Sequence, residues 1–371
     1  MHKLFIAGIL ALGSAAFAAD SSNKTYSNTD TTTHFREITP NAGPRVTNGV
    51  DVFVTADFIY WTARQEGMAY ARGGVADYTD ALSLGDAHSG STYFPPTHFS
   101  PGFKAGIGLN LGHDGWDTYL NYTWLHSNQH NSVQKSAGYS SGIIPLWEIA
   151  SVGNQQSQTQ FITLSNFVNM TNASASWSLH FNNFDLDLGR NYYISQYLAL
   201  RPHAGLKGSW YNQHYHVSYS GFLEPDIASE LSETHMDIEQ HFWGVGIRTG
   251  VDTSWFFDKN WSLFGNTSLA ALWGRFNVQR QDYATTLPNG VVYKTTNTRS
   301  DFHTIKPVLE LQLGVRYDYW FSDDDYHLGI QAAWEEQLWF NQNQFYEVTS
   351  GFESHGDLGM QGLTLTFRFD F

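Results

Sequence analysis

Ten charged residues recur at alternate positions within otherwise apolar stretches: Asp57, Lys104, Asp185, Lys207, Arg248, Lys306, Glu310, Arg316, Glu335 and Arg368. Every second side chain of a β-strand shares one face. On the inner face of a closed sheet, such charges would line a lumen able to pass ions and small polar solutes. The same charges could instead pair across strands and close it. Strand number bears on the choice. Barrels of about eight strands are filled by side chains, whereas about 16 to 18 strands leave an aqueous channel.

Other chemistry is thinly supported. Of the sixteen histidines, His214 and His216 share one strand face, and His235 and His241 flank Asp237 and Glu239. A metal site needs three or four converging ligands, and the spacing shows none converging. His235 with Asp237 or Asp226 could be cast as an acid–base pair, but no G-x-S-x-G nucleophile motif accompanies them. The chain is therefore expected to be no enzyme, with no metal and no cofactor. It has no cysteine, which removes disulfides and thiolate chemistry. Its formal net charge is −15, and its lysines and arginines are scattered, so nucleic acid is not an expected partner.

The elements that must position these charges follow from period-2 patterning. In 303–320, Ile305, Pro307, Leu309, Leu311, Leu313, Val315, Tyr317 and Tyr319 oppose Lys306, Glu310, Gln312, Arg316 and Asp318. Segments 102–112, 326–338, 240–252 and 198–210 repeat the alternation. In 240–252, Phe242 breaks the pattern by facing inward, and Pro202 predicts a bulge in 198–210. Weaker candidates are 50–61, 115–126, 176–190 and 261–274, with a second bulge expected where the phase slips at Asn182-Asn183. The last strand, 361–371, alternates Leu363, Leu365, Phe367, Phe369 and Phe371 with Thr364, Thr366, Arg368 and Asp370.

Short and long connections alternate along these ten segments. The short ones are 112–115, 191–197, 253–260 and 322–325; the long ones are 62–101, 127–175, 211–239, 275–302 and 339–360. The predicted fold is an all-β, transmembrane, antiparallel up-and-down barrel of about ten strands, with short periplasmic turns and long extracellular loops. A hairpin hidden at 143–152 with 160–170 would raise the count to twelve. Trp116, Tyr192, Tyr193, Tyr197, Trp255, Trp261, Tyr319, Trp320 and Tyr326 predict an aromatic girdle at the short turns. Trp61, Trp124, Trp210, Trp273 and Trp339 are expected to form the opposite one. Residues 1–18 read as a signal peptide, with Lys3, an apolar run from Leu4 to Leu12, and Ala16-Phe17-Ala18 as the cleavage site. Residues 19–48 read as a disordered periplasmic segment, and 49–371 as the barrel.

Several short motifs resemble one family. They are Ala56-Asp57-Phe58-Ile59-Tyr60-Trp61, His113-Asp114-Gly115-Trp116-Asp117, and Leu188-Gly189-Arg190-Asn191-Tyr192-Tyr193 with Leu200-Arg201-Pro202. They resemble the Legionella and Chlamydia group of major-outer-membrane-protein-like, pore-forming proteins. The resemblance covers roughly residues 50 to 371. It implies a β-barrel of the bacterial outer membrane that passes solutes, and it brings no catalytic residues. Lacking cysteine, this chain departs from members that build a disulfide-crosslinked envelope. The final strand also resembles the C-terminal strand of outer-membrane barrels, whose last aromatic is read by the insertion machinery; Phe367, Phe369 and Phe371 are the residues concerned. Expected partners are outer-membrane lipid, that machinery, and small polar solutes or ions. Homo-oligomer formation stays open, as does an adhesive role for the long loops.

Overall fold

The computed structural model describes residues 50–76, 88–111, 115–135, 142–147, 150–152, 161–163, 170–222, 231–321, 326–346 and 355–371. The expected signal peptide 1–18 and segment 19–48 lie outside the described residues. So do turn residues 112–114 and 322–325, and parts of the loops 62–101, 127–175, 211–239 and 339–360.

Ten long strands follow in order: β1 Val50–Gln65, β2 Phe99–Leu111, β3 Trp116–Gln134, β4 Met170–Arg190, β5 Leu198–Phe222, β6 Leu231–Phe256, β7 Trp261–Thr286, β8 Val292–Phe321, β9 Tyr326–Asn343 and β10 Gly356–Asp370. Each pairs antiparallel with the next. β10 then returns to β1, from Phe53↔Asp370 to Gln65↔Leu358. The ring is closed, so no strand edge of the wall is left with a row of unpaired amides to bury in hydrocarbon.

The outward face carries an apolar band. Leu206, Val245, Ile247, Leu269, Ile305 and Leu313 are all more than half exposed. Along β6 the band runs from Trp243 to Trp255, both exposed. Twelve residues at ~3.3 Å and a ~40° tilt project to ~30 Å, the thickness of a bilayer's hydrocarbon core. Exposed Tyr192, Tyr197, Trp255, Phe257, Trp261, Tyr319 and Tyr326 ring the short-turn end. At the other edge Trp243 meets Trp273 edge-on at 5.8 Å, and Trp124 stacks on Phe103 at 5.7 Å.

Trp61 and Trp339 correct the expected outer girdle: both are fully buried inside the ring. Parity decides this. Tyr60 and Trp334 face outward, so Trp61 and Trp339, an odd number of residues away, face inward.

Beyond the apolar band the strands continue, and their two faces exchange character. In β5 the outward side changes from Leu206 and Trp210 to Asn212, His214, His216 and Ser218, while the inward side changes from Lys207 and Ser209 to Tyr211, Tyr215, Val217 and Tyr219. Outside the membrane the outer face meets water, so the apolar face must turn inward. Phe242 is therefore no irregularity; it lies inward with Ile238 and Met236 at the same crossover. The expected bulge at Asn182-Asn183 is absent for the same reason. The ladders on both sides of β4 run through it without a register shift, and the slip marks inward Trp177, Leu179 and Phe181 giving way to outward Phe184, Leu186 and Leu188. Pro202 pairs with Val251 in an unshifted β5–β6 ladder and lies just past the last β4–β5 pair, His203↔Gly189, where no donor is needed. Much of 211–239 and 275–302, expected as loop, is strand.

Within the long connections, Ala71–Ala76 pairs with both His88–Tyr93 and Gly142–Pro145. Ala150–Val152 pairs with Phe161–Thr163 in a separate two-stranded sheet. Of the hairpin considered at 143–152 with 160–170, Gly142–Pro145 meets the wall at Ile143↔Met170 while Ala150–Val152 pairs apart from it, and the ring itself keeps ten strands.

Candidate functional site: the barrel interior

The interior divides into two layers. The layer toward the short turns holds nearly all the charges. Lys207, fully buried, sits between Asp185 Oδ1 at 2.8 Å and Glu310 Oε1 at 2.6 Å. Arg248 Nη2 reaches Glu310 Oε2 at 3.0 Å and Nη1 pairs with Asp187, while Ser268 donates to Glu310 at 2.7 Å. These groups come from β4, β5, β6, β7 and β8, so one network ties half the ring together. In a second cluster Lys104 Nζ lies 2.6 Å from Glu335 Oε1, Thr364 donates to the same carboxylate, and Asp57 stands beside Lys104 in the β1–β2 ladder. Nearer the short turns, His327 bridges Asp318 at 2.9 Å and Asp370 at 2.6 Å, Arg316 and Arg368 pair with those two acids, and Arg201 joins Asp117 and Asp252.

Eight of the ten residues named from the sequence, Asp57, Lys104, Asp185, Arg248, Glu310, Arg316, Glu335 and Arg368, border a cavity of about 400 Å³ that reaches Phe256 and Lys259 at the short-turn end. Lys207 is sealed within its ion pairs. Lys306 stands apart: its ammonium bonds the Asn341 carbonyl and lies 5.0 Å over the Phe276 ring. The list drawn from sequence omits Asp117, Asp187, Arg201, His203, Asp252, Asp318, His327 and Asp370, all of which line the cavity. All but Asp117 lie on the same parity as a named residue of their own strand, so alternation alone points to them; β3, which carries Asp117, holds none of the ten. Several of their partners are local, as in Arg316–Asp318, Asp318–His327 and Arg368–Asp370, whereas Asp117–Arg201 and Asp187–Arg248 skip a strand and follow only from the curvature of the closed wall.

The second layer is aromatic. Four residues beyond Asp57, Asp185, Lys207 and Glu335 on their strands stand Trp61, Phe181, Tyr211 and Trp339, all buried. Trp339 of β9 meets Phe181 of β4 at 5.4 Å and Tyr211 of β5 at 6.4 Å, from the opposite side of the ring. Tyr211 stacks on Phe242 at 4.9 Å, and Phe242 meets Phe276 at 4.7 Å. This chain of rings spans the lumen.

Inward-folded segments complete it. Gly67 at φ 79° turns the chain after β1, and Asn341 at φ 50° turns it in β9; glycine and asparagine tolerate this left-handed region best. Gln342 to Phe345 then form a strap inside the barrel. Gln240 donates to the Gln342 carbonyl at 2.8 Å, the Gln344 amide donates back to Gln240 at 3.0 Å, and Phe345 stacks on Tyr215 at 5.7 Å. In this conformation the aromatic rings and the strap lie in the lumen on the far-mouth side of the charged cavity.

Phe367 and Phe371 are half exposed on the outer wall at the short-turn end, with Phe369 stacked on Phe371 at 5.9 Å. Among the described residues no three histidines or carboxylates are placed to hold a metal ion.

Residues 43–371 match the family described as the Legionella pneumophila major outer membrane protein precursor. The chain belongs to this family. As a member it is a bacterial outer-membrane protein, and the short turns mark the periplasmic end of its barrel. No protein of curated function matches it. Among solved structures it is similar to the outer membrane protease OmpT from Escherichia coli, at 9% identity over 86% of this chain and 96% of that one, with a TM-score of 0.36. A Pseudomonas aeruginosa FadL homologue matches at 8% identity over 87% and 90%, TM-score 0.24. The outer membrane channel DcaP of Acinetobacter baumannii matches at 10% over 89% and 100%, TM-score 0.12. Likenesses at this level carry no argument about what the family member does.

Proposed function

We propose that this protein is a porin-like, pore-forming component of the outer membrane that passes ions and small polar solutes. The supporting observation is the charged cavity inside the barrel wall. Charged groups there cost free energy to hold at membrane depth, and most are paired with one another rather than replaced by apolar filling. The aromatic layer and the 342–345 strap correspond to a closed state, so passage requires the strap to leave the lumen. The reading involves no catalysis and no cofactor. In it, Phe367, Phe369 and Phe371 present the signal read by the insertion machinery. The full chain, refolded and added to a planar bilayer, should give discrete current steps. Silence from a barrel that still shows heat-modifiable mobility would sink the reading.

One observation favours a second role beside this one. β5 runs from Trp210 to Phe222 and β7 from Trp273 to Thr286 beyond the aromatic edge. Twelve or so residues at ~3.3 Å and ~40° tilt raise this sheet ~30 Å above the bilayer. A barrel that presents so much ordered sheet is suited to contact a host or partner surface. Antibodies to 211–239 should then block binding to cells without changing conductance.

A further inference from the structure

β9 leaves the wall before its neighbour does. The β8–β9 ladder ends at Val308↔Trp339, while β8 runs on and is still paired with β7 at Thr285↔Val292. Among the described residues, the other edge of 292–307 has no ladder partner. A bare edge is a template for one more strand. The chain that a longer β9 would lay along it is 341–345, which folds into the lumen instead.

The departure turns on one residue. Asn341, at φ 50°, is the one non-glycine residue of positive φ among those described. It is exposed, and its side-chain amide bonds none of the described residues. Its carbonyl accepts from Lys306, the residue that it would face if the ladder continued in register. The same continuation pairs Thr304 with Asn343, His303 with Gln344 and Phe302 with Phe345. Parity then suits the water half of the wall. Gln342 and Gln344 would lie outward, on the face of exposed Ile305 and His303. Phe345 would lie inward beside Phe302, which already stacks on Phe276 at 5.4 Å.

The strap meets its backbone needs with side chains. The Asn341 amide donates to Asp357 at 2.7 Å, the Gln344 amide to Gln240 at 3.0 Å and the Phe345 amide to Asn343 at 2.9 Å, while the Gln342 carbonyl accepts from Gln240 at 2.8 Å. A ladder along β8 would satisfy such groups through the main chain, and Phe345 would exchange Tyr215 for Phe302. Two states of comparable free energy require that neither leave buried polar groups unpaired. The far end is tethered too: Tyr346 bonds Thr298 of β8 through its hydroxyl, and its carbonyl accepts from Arg280 of β7. Both ends of the segment are thus held to the strand it would join, or to that strand's neighbour.

We propose that residues 341–345 exchange between the lumen strap and an extension of β9 along the bare edge of β8, with Asn341 as the hinge. The exchange is a property of the fold; that it opens a conducting path rests on the pore reading above.

The chain has no cysteine, so introduced pairs report the exchange directly. His303→Cys/Gln344→Cys, inserted reduced into vesicles and then oxidised, should form a disulfide, because directly opposed residues bring their Cβ atoms within ~4.5–5.5 Å. Arg299→Cys/Gln344→Cys, four residues out of register, should not. Each variant is first shown to keep the heat-modifiable mobility of the folded barrel. Adding Asn341→Val, which disfavours positive φ, should speed cross-linking of the 303/344 pair about fivefold, whereas Asn341→Gly, which accepts that conformation freely, should slow it. No disulfide at 303/344 in a folded barrel would overturn the proposal. So would equal rates at the two pairs, or equal rates in the two Asn341 variants. In planar bilayers the oxidised His303→Cys/Gln344→Cys chain should hold its high-conductance level and return to parental gating on reduction. An in-register disulfide without effect on current would support the exchange and count against the pore reading.

Discussion

Lys207 shows how a single residue is held at membrane depth. Its ammonium is fully buried, which is tolerable only because Asp185 and Glu310 lie within hydrogen-bond distance on either side. Replacing it with methionine keeps the bulk and leaves two carboxylates to share Arg248. Breaking one partner out of a buried network costs about 3–5 kcal/mol. Urea unfolding of Lys207→Met in vesicles should register that loss, and a change under about 1 kcal/mol would mean the network is solvated. Phe345 is the matching residue of the aromatic layer, fully buried against Tyr215 and 6.5 Å from the Trp147 ring. Phe345→Ala should destabilise the strap by about 3–5 kcal/mol. In single-channel recordings it should open more often than the parent protein. Unchanged open probability would place the closure elsewhere than the strap.

At the scale of strands, each long strand passes from lipid to water, and its faces exchange character where it does so. Ile247 lies in the lipid half of β6 and is the most exposed apolar side chain of that strand. Ile247→Arg should therefore cost about 2–4 kcal/mol near the bilayer midplane, measured by unfolding in vesicles. In the water half, His214 and His216 both reach Asp237, at 3.3 and 2.7 Å. The hydrogen bond to Asp237 raises the His214 pKa above its ordinary 6.5. Partial burial pushes the Asp237 carboxyl up, but hydrogen bonds from His214 and His216 outweigh this and hold it well below its ordinary 3.8. The histidine's contribution is complete below pH 6.5 and is lost as pH rises through the raised value; that of Asp237 is complete above 3.8 and is lost as pH falls through the lowered value. The outer ends of β5 and β6 should thus be best protected from hydrogen exchange between those two limits. After correction for intrinsic rates, their amides should exchange faster at pH 8 than at pH 6, and His214→Asn should flatten the difference.

In the proposed pore, selectivity is a property of the whole molecule. The cavity is bordered by nine carboxylates, from Asp57 to Asp370, against six lysines and arginines; with buried Lys207 counted among the cations, the net charge is about −2. A lumen of that sign draws cations. Reversal potentials across a potassium chloride gradient should show cation preference, strengthening at low salt, where screening weakens. Anion preference would show that the solute path avoids this wall.

Alternation in segments such as 303–320, 102–112 and 361–371, with the alternating short and long connections, pointed to an antiparallel barrel of about ten strands; the closing β10–β1 ladder fixes the count at ten. A strand's side chains can face only two ways, and lipid demands that one of those faces be apolar. Parity puts Trp61 and Trp339 inside, against the girdle position that their nearness to a strand end suggests, and alternation ends 198–210 and 261–274 early because polar outward residues look like loop once the surroundings become water. Only the tertiary structure decided that Lys207 bridges Asp185 and Glu310, that Trp339 reaches Phe181 and Tyr211 across the ring, and that residues 342–345 fold back into the lumen. Apart from Lys207–Asp185, which joins neighbouring strands, those contacts reach across the closed cylinder. Local pattern specifies which way a side chain points, but closure and register specify what it meets there.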